Sequence, residues 1–538
     1  MRRPLMSVLA GALVLAGCSS GAGGAAQAPA SPDRLVIALA EDTGPLNIFA
    51  DQAPPIDGLV YDKLLAPSPY VDEPQPWLAT AVRQIDPSTW EADLREGVRW
   101  QDGETFDAAD VAFSFDYFKN APTGTYTHHV SDVPSIDSVE VLSPNRVRFT
   151  CAYPCPELGT VTLADLPVIA EHIWESVPPE EAKEVTTPPI GTGPYRLVSY
   201  DPTSGYRFEA NPDYWAGAPL VRELVMPVIT DPAATFSALR AGQIDATTTP
   251  LTPELIDRFT ASGDVGVLRT SPLRFPELRL NYDRAPFDRP EFRAALSLAV
   301  DRGQLLDVVA LGKGRSAVQG YPHPDAPFAN PELSTPYAPR EAAGMLDAMG
   351  MTDGDGDGVR DGDEGPLTFT ITADGGRPAD VRAAELVAED LREIGVGATV
   401  QGVDAGSVAD LAKSREFDMY ISAIGPHGVA DPTQFIMSHR SGYLWRAPEV
   451  AYPEWDALFA RWRATTTNAD RLGVLDEMQV LFNRQPTSIP LFYPDEYWAF
   501  APERFAGWVE SPGQGIVHKW SLLPPQVARD AGAVVAPR

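Results

Sequence analysis

The sequence predicts an α/β protein built from two or more lobes. The chain has 538 residues, more than a single hydrophobic core ordinarily accommodates. Apolar residues make up 44% of the chain, a proportion that is sufficient for globular packing. Strand-like alternation and helix-like spacing of apolar residues succeed each other along the sequence, and residues 368–421 form a β-α-β series.

One central segment shows these patterns most clearly. Tyr195–Tyr200 alternates apolar and polar residues as a half-buried strand does, and Tyr206–Glu209 returns as a second strand after a turn. Leu224–Ile229 is apolar at nearly every position, which predicts a strand buried on both faces. A helix is expected between Asp231, whose side chain can cap it, and Gly242, which can end it in a left-handed conformation. The segment therefore predicts a helix packed on a sheet, and not a catalytic loop.

The N-terminus has the features of an export signal. Two arginines precede an apolar run, Leu5–Leu15, that is too short to cross a membrane. The motif Leu-Ala-Gly-Cys that ends at Cys18 is similar to a bacterial lipobox. This resemblance implies cleavage before Cys18 and attachment of acyl chains, palmitate among them, to its thiol. Residues 19–32 are Gly, Ala, Ser and Pro in large part, as in a flexible tether. A secreted protein without a lipid is the alternative.

The net charge and the cysteine content limit the binding partners and the cross-links that we expect. The net charge of −32 disfavours nucleic acids and anionic membrane surfaces. Besides Cys18 the chain contains Cys151 and Cys155, and in an exported protein we expect these two to form a local disulfide. The loop between them is small, so the bond would stiffen a turn and add little global stability. A metal or redox pair is the less favoured alternative, because no histidine or third cysteine is near.

Several motifs, in consistent order along the chain, resemble the extracytoplasmic solute-binding proteins of family 5. These motifs are WEADLREGVRWQDGETFDAADVAFSFDYF at 90–118, GTGPY at 191–195, NPDYW at 211–215, ALRAGQIDA at 238–246 and LRLNYDRAPFDRPEFRAALSLAVDRGQLL at 278–306. The family comprises the oligopeptide- and dipeptide-binding subunits of ABC importers and their relatives. The resemblance extends from about residue 34 to about residue 523.

The resemblance implies a two-lobed, type II periplasmic-binding-protein-like fold of the large kind, with an extra subdomain, mixed sheets flanked by helices and a hinged cleft between the lobes. It also implies a monomer at the extracytoplasmic face of the cell membrane that binds a peptide or a related small solute and delivers it to ABC permease subunits. No catalysis and no cofactor are expected. The expected division of the chain is a signal peptide at 1–17, a tether at 18–33, a first lobe at 34–58, 188–277 and 491–523, an extra subdomain at 59–187, a second lobe at 278–490 and a tail at 524–538.

The candidate ligand-contacting residues come from segments that approach the cleft in the family. Peptide-binding members hold the amino terminus of the ligand with an acid shortly before an Asp-Pro pair. Here Asp431-Pro432 matches that pair, but the expected position of the acid falls near His427 or Gly428. The usual amine anchor is therefore absent unless Asp431 takes its role, which leaves the solute open among a peptide, an oligosaccharide, a metal chelate and other small molecules. The candidates are Asn47, His427, Asp431, Tyr443, Trp445, Tyr497 and Trp498.

A second candidate site is an acidic loop. Asp353–Glu364 reads DGDGDGVRDGDE and fits the calcium-loop pattern D-x-D-x-D-G-x(5)-E. A strand, Leu367–Thr372, follows this loop where a calcium-binding helix–loop–helix has its second helix. Structural Ca²⁺ and a solvated turn are therefore equal alternatives. The candidate ligands are Asp353, Asp355, Asp357, the main-chain carbonyl of Val359, Asp361 and Glu364.

Two other functions stay open at this point. An exported hydrolase, braced by calcium, is one of them, although residues 34–538 contain no G-x-S-x-G or H-E-x-x-H motif. An extracellular sensor with the same fold and no role in transport is the other.

Overall fold

The computed structural model describes residues 32–50, 54–67, 74–122, 126, 130, 135–425, 432–437, 439–441, 452–511 and 513–530. Its helical segments, one of which (Pro179–Glu184) is a 3-10 helix, are Pro54–Val60, Ala108–Asn120, Thr162–Asp165, Glu171–Trp174, Pro179–Glu184, Pro232–Arg240, Pro253–Ser262, Pro290–Ala299, Arg302–Val309, Pro339–Ala348, Pro378–Glu393, Ala405–Ser414, Thr433–Met437, Pro453–Ala464, Asn468–Arg484, Lys519–Leu522 and Pro525–Asp530.

A mixed sheet of seven strands forms the centre of the first lobe. Strand Arg34–Ala38 lies inside it, runs parallel to both of its neighbours, and is buried on both faces at Leu35 and Ile37. Every other neighbouring pair in this sheet is antiparallel. In spatial order the strands are Gly266–Thr270, Glu496–Phe500, Ala246–Thr247, Arg34–Ala38, Glu223–Met226, Gly205–Ala210 and Tyr195–Asp201.

The segment predicted as an extra subdomain contains an antiparallel sheet of four strands. Helix Ala108–Asn120 packs on this sheet, with the rings of Phe115 and Phe149 at 4.9 Å between centroids. Asp107 caps the helix by accepting a hydrogen bond from the main-chain nitrogen of Ala109 at 2.7 Å. The strands, in spatial order, are Ala79–Asp86, Thr89–Leu94, Arg146–Cys151 and Ile136–Ser143.

The second lobe is built on a five-stranded sheet. Strand Thr368–Asp374 runs parallel to both of its neighbours, Gly397–Val403 and Met419–Ile424, as the β-α-β series predicts. In spatial order the strands are Gly397–Val403, Thr368–Asp374, Met419–Ile424, Phe275–Leu280 and Ser488–Pro490. Three two-stranded sheets complete the described strands, and they pair Leu65–Ala66 with Gln75–Pro76, Gly314–Ser316 with Phe492–Pro494 and Asp361–Gly362 with Gly365–Pro366.

The two lobes have separate hydrophobic cores. Among the described residues, the buried apolar clusters that contain the seven-stranded sheet draw on no residue between 275 and 493. The clusters that contain the five-stranded sheet lie wholly within that range. Since each core closes on itself, each lobe can move as a unit against the other.

The central segment singled out from the sequence folds as a hairpin, a strand and a helix. Asp231 accepts a hydrogen bond from the main-chain nitrogen of Ala234 at 2.7 Å and so caps the helix. Gly242 follows the helix with φ at +68°, the left-handed conformation expected of it. The third strand ends at Met226, three residues before the predicted end, because Pro227 has no main-chain N–H to continue the ladder.

Candidate ligand cleft

Two short connections carry the chain between the lobes. Residues 271–274 form the first connection and Asp495 the second, and each joins the seven-stranded sheet to strands of the second lobe. They lie side by side, because Thr270, just before the first, pairs with Glu496, just after the second. This edge of the sheet therefore faces the second lobe, and the space between the lobes at this edge is the candidate ligand cleft.

The loop after strand Arg34–Ala38, residues 41–47, leaves the same edge of the sheet and is held in place by Asp42, and we call it the wall loop. The hydroxyls of Tyr200 and Tyr206 both donate to the Asp42 carboxylate, at 2.9 Å each, and the main-chain nitrogen of Gly44 donates at 3.0 Å. Burial raises the pKa of Asp42, but these hydrogen bonds outweigh it and leave the pKa below its usual value. The carboxylate therefore stays ionised at neutral pH and fixes the wall to the sheet.

Asn47, predicted as a ligand contact, is used within the first lobe. Its side-chain nitrogen donates to the carbonyls of Ala182 and Val185 at 2.7 and 3.0 Å, and its side-chain oxygen accepts from the nitrogen of Phe49 at 2.9 Å. The residue is 7% exposed. In the structure the Asn47 amide is bonded at both ends and joins the wall loop to the 3-10 helix, and contact of Asn47 with a solute stays a prediction.

Tyr497 and Trp498 lie at the cleft edge of the seven-stranded sheet, on opposite faces as successive strand residues do. Both side chains are half-buried. The indole nitrogen of Trp498 donates to the hydroxyl of Thr270 at 2.8 Å, and Gly515 lies so near that a β-carbon there would be 2.8 Å from the indole. Trp498 is therefore held in place from two sides. Contact of these aromatic rings with a solute stays a prediction.

Glu496, immediately before these aromatic residues, is a half-buried carboxyl group between the two connections. Within the described part of the chain, its carboxylate has no hydrogen bond or ion pair. Burial raises the pKa of Glu496 to about 7, although the positive charge of Arg274 acts in the opposite direction. No motif in the sequence distinguishes this residue, since a single glutamate at the start of a strand has no local signature.

The second lobe contributes the end of strand Met419–Ile424 to the cleft. Gly425 follows that strand and lies against the first connection, where a β-carbon would be 3.0 Å from the α-carbon of Arg274. The Arg274 side chain is exposed. The predicted ligand contacts that follow along the chain lie outside the described residues, and they are His427, Asp431, Tyr443 and Trp445.

The extra subdomain also meets the second lobe around a cavity of about 220 Å³, and we call this boundary the rim. Arg471 and Glu157 form an ion pair across this boundary, and their side chains are 3% and 5% exposed. Arg471 also donates to the carbonyl of Pro154 at 2.9 Å and to the hydroxyl of Thr465 at 3.0 Å. The cavity is lined by Pro74, Glu157, Thr160, Val161, Pro327, Phe328, Pro432, Trp462, Asn468, Arg471, Leu472 and Leu475.

Aromatic contacts surround the rim ion pair. The guanidinium carbon of Arg471 lies 4.0 Å from the centre of the Trp462 ring, within the range of a cation–π interaction. Burial lowers the pKa of Arg471, and the charge of Glu157 opposes that shift. The sequence does not predict this pair, because its members are 314 residues apart and belong to no recognisable motif.

The disulfide lies beside the rim. The structure joins Cys151 and Cys155, and the turn that they enclose presents the Pro154 carbonyl to Arg471. Tyr153, in the same turn, lies under Arg463 of the second lobe, with the guanidinium carbon 4.1 Å from the ring centre. The disulfide therefore stiffens a turn, as expected, and that turn is one of the two surfaces that meet at the rim.

The acidic loop folds as a series of tight turns. Asp353 accepts hydrogen bonds from the nitrogens of Gly356 and Gly358 at 2.7 and 3.0 Å. Carboxylate oxygens of three exposed residues, Asp353, Asp355 and Asp357, lie within 4.8 Å of one another. Asp361 and Glu364 do not belong to that group, because they lie on and beside the short hairpin that follows. Calcium binding by this loop stays a prediction from its spacing.

The proposed anchor, Cys18, lies outside the described residues. Among the helices that the structure describes, none combines the length and the apolar character that a membrane crossing requires.

Comparisons with known proteins relate the chain to one family of bacterial proteins. The family described as bacterial extracellular solute-binding proteins, family 5 Middle, matches residues 73–444. The di/tripeptide-binding protein 2 of Pseudomonas aeruginosa is 26% identical over 427 residues, which cover 74% of this chain and 77% of that protein. The nickel-binding periplasmic protein of Escherichia coli is 26% identical over 431 residues, or 76% of this chain and 79% of that one.

The fold has solved counterparts. The oligopeptide-binding protein AppA of Bacillus subtilis, solved with a nonapeptide, superposes with a TM-score of 0.76 at 21% identity and covers 92% of this chain and 99% of that one. This likeness confirms the fold class expected from the sequence, a two-lobed periplasmic-binding-protein fold of type II with mixed sheets flanked by helices. The division of the chain into the residue ranges given above stays a prediction, and strand Phe275–Leu280 of the second sheet begins three residues before the expected start of the second lobe.

Proposed function

Because the chain belongs to the bacterial extracellular solute-binding proteins of family 5, we propose that it is the solute-binding subunit of an ABC importer. It captures a peptide in the cleft between its lobes, and a lipid on Cys18 holds it at the extracytoplasmic face of the membrane. The observation that carries this proposal is the cleft itself. Two lobes with separate cores are joined by two short connections and meet again at a buried ion pair.

Such an arrangement works as a clamp. A solute that contacts both lobes binds the closed form more tightly than the open form and shifts the equilibrium by the difference in affinity. The Glu157–Arg471 pair forms when the extra subdomain and the second lobe meet, so closure removes it from water. The closed form presents one defined surface from both lobes, and this is the surface that docks on the permease. Binding and release supply the function, and no bond is made or broken.

A peptide is favoured over a metal chelate as the solute. Relatives are named for di/tripeptides and for nickel, so kinship alone leaves both classes open. Of the residues that the structure describes, the acidic side chains that could hold a metal ion together are Asp353, Asp355 and Asp357, which are exposed on a loop of the second lobe. The carboxyl group of Glu496 at the cleft, which has no partner among the described residues, fits a cationic amine better than a metal ion, which requires several ligands.

Thermal unfolding with defined solutes tests the proposal. The protein is unfolded in guanidinium chloride to remove co-purified solute, refolded, and mixed with a tripeptide library, with the nickel–histidine chelate, or with buffer. We expect the peptides to raise the melting temperature, because a ligand that binds only the folded protein stabilises it. Stabilisation by the chelate alone contradicts peptide binding, and cleavage of the peptides in the same samples supports the hydrolase.

Membrane attachment and transport need separate experiments in cells. Labelled palmitate is expected on the wild-type protein and not on a Cys18→Ala variant, which should leave the membrane fraction. A deletion strain is expected to lose uptake of labelled tripeptides and to regain it with the wild-type gene. Unchanged uptake in the deletion strain contradicts a transport role and supports the sensor.

A further inference from the structure

We propose that Glu496 binds the cationic nitrogen of the solute, the amino group in a peptide, at the base of the cleft between the two connections. This inference rests on the proposed function, since it names the chemical group by which the cleft recognises its solute.

The position of Glu496 places its side chain at the cleft. It is the first residue of the first-lobe strand after the second connection, and it pairs with Thr270, the last residue before the first connection. Its side chain shares a face of the sheet with Trp498, two residues along the strand. The carboxyl group therefore lies at the end of the strand that adjoins both connections, on the face of the sheet that carries an aromatic ring.

The other acids around the connections are paired, whereas Glu496 is not. Asp495 binds Arg269 at 2.7 Å, Asp325 binds Arg315 at 2.7 Å, and Asp257 binds Lys313 at 2.6 Å. No hydrogen bond or ion pair reaches the Glu496 carboxylate from the described part of the chain. A carboxyl group that a protein buries without a partner is costly, which makes this position a candidate for binding an external group.

The electrostatics favour a cation. Burial raises the pKa of Glu496 to about 7, so this carboxyl group keeps its proton at a higher pH than an exposed glutamate does. An amine at this position stabilises the ionised form, and an ion pair screened from water is stronger than one at the surface. Of the surrounding charged groups, Arg274 on the other connection acts on Glu496, while Asp495 and Arg269 neutralise each other. A metal ion fits less well, because one carboxylate supplies too few oxygens.

The test compares which peptides each variant retains. Wild type, Glu496→Gln, Glu503→Gln and Asp431→Asn are each mixed with three tripeptide libraries, and the retained peptides are counted by mass spectrometry after gel filtration. The first library lacks Lys, Arg and His and has free amino termini. The second is the first with acetylated termini, and the third is acetylated but contains one lysine per peptide. Glu503 is the matched control, an exposed glutamate seven residues further along the chain.

We expect wild type and Glu503→Gln to prefer the free over the acetylated library by about tenfold or more, since a hydrogen bond to a charged group contributes that much. In Glu496→Gln this preference should fall to within about twofold, whereas total binding of acetylated peptides should not change. If wild type retains the third library as well as the first, the site binds lysine side chains as well as amino termini.

Three results overturn the inference. Equal retention of the first two libraries by wild type shows that no cation is recognised. A preference kept by Glu496→Gln and lost in Asp431→Asn assigns the anchor to Asp431. Failure of wild type to retain any library contradicts peptide binding, and with it the proposed function. Glutamine has nearly the shape of a protonated glutamate, so Glu496→Gln should fold, and its melting temperature in the absence of peptides verifies this.

The number of protons released on peptide binding gives an independent measurement. If an amine ionises Glu496, binding of the first library near pH 7 releases a fraction of a proton, which isothermal titration in buffers of different ionisation enthalpy detects. Glu496→Gln should bind without that release, and an equal release in wild type and variant contradicts the inference.

Discussion

At the rim of the cleft, Arg471 is bonded across the lobes to Glu157 and Pro154, whereas at the connections Glu496 has no partner in the described part of the chain. Both regions place charged groups between the lobes, and both remove them from water to a large extent. The two regions differ in which molecule supplies the opposite charge. At the rim it comes from the protein itself, and at the connections we propose that it comes from the solute.

The difference separates closure from recognition. A buried pair that is complete within the protein stabilises the closed form whatever solute is present, provided that its geometry offsets desolvation. An incomplete site gains most of its energy when a solute of the right charge arrives, and it therefore discriminates among solutes. Changes at the rim should alter how readily the lobes close, and changes at the connections should alter which solute closes them.

Arg471→Met should have the largest effect. It leaves the charge of Glu157 buried at the closed rim without its cation, a loss that ordinarily costs about 3–5 kcal/mol, so the open form should dominate even with peptide present. Spin labels at Asp137→Cys and Val480→Cys, exposed positions on the subdomain and the second lobe, report the distance by double electron–electron resonance.

Two further variants separate charge from side-chain removal. Glu157→Gln combined with Arg471→Met should restore closure in part, because no uncompensated charge remains. Arg461→Met removes the exposed partner of Glu477, a pair at 2.6 Å, and should leave the distance distribution unchanged. A wild-type distribution for Arg471→Met would mean that the rim pair does not control closure.

Removal of the disulfide should have an intermediate effect at the same rim. Cys151→Ser with Cys155→Ser frees a five-residue loop, for which chain entropy gives about 2 kcal/mol. The turn would then present the Pro154 carbonyl to Arg471 less often, so closure should weaken by less than in Arg471→Met. Urea unfolding measures the stability, and the same spin labels measure closure. A larger effect on closure than that of Arg471→Met would contradict this order.

The pH dependence of stability should show an effect of Glu496, which lies at the connections. Because the pKa of Glu496 is raised from 4.5 to about 7, the folded protein holds this proton more tightly than the unfolded chain does. The contribution of Glu496 to stability is therefore fully present below pH 4.5 and declines as the pH rises to about 7.

The measurement that isolates Glu496 is the difference in the free energy of unfolding between wild type and Glu496→Gln at each pH. Asp390, with a pKa raised to about 6, and His518, with a pKa lowered to about 4, titrate in the same range and contribute equally to both proteins. Urea unfolding from pH 4.5 to 8 should show wild type losing stability relative to the variant as the pH rises. Parallel curves would mean that the folded, solute-free protein does not raise the pKa of Glu496.

The sequence predicted the elements that are specified locally and missed the contacts that the cleft depends on. The helix after Asp231 and the helix after Asp107 begin where their caps are, because a cap acts on residues two or three positions away. Glu157 and Arg471 meet only through the fold, so neither is distinguishable from other charged residues beforehand. Asn47 lies in the wall loop, where its side-chain nitrogen donates to two main-chain carbonyls, a role that composition cannot reveal.

Small-angle X-ray scattering of the solute-free, refolded protein, before and after addition of saturating tripeptide library, tests the central claim most directly. The account predicts a smaller radius of gyration with the peptides, because solute held between the lobes favours the closed form. Superimposable scattering curves, under conditions where mass spectrometry finds peptide bound, would contradict the account.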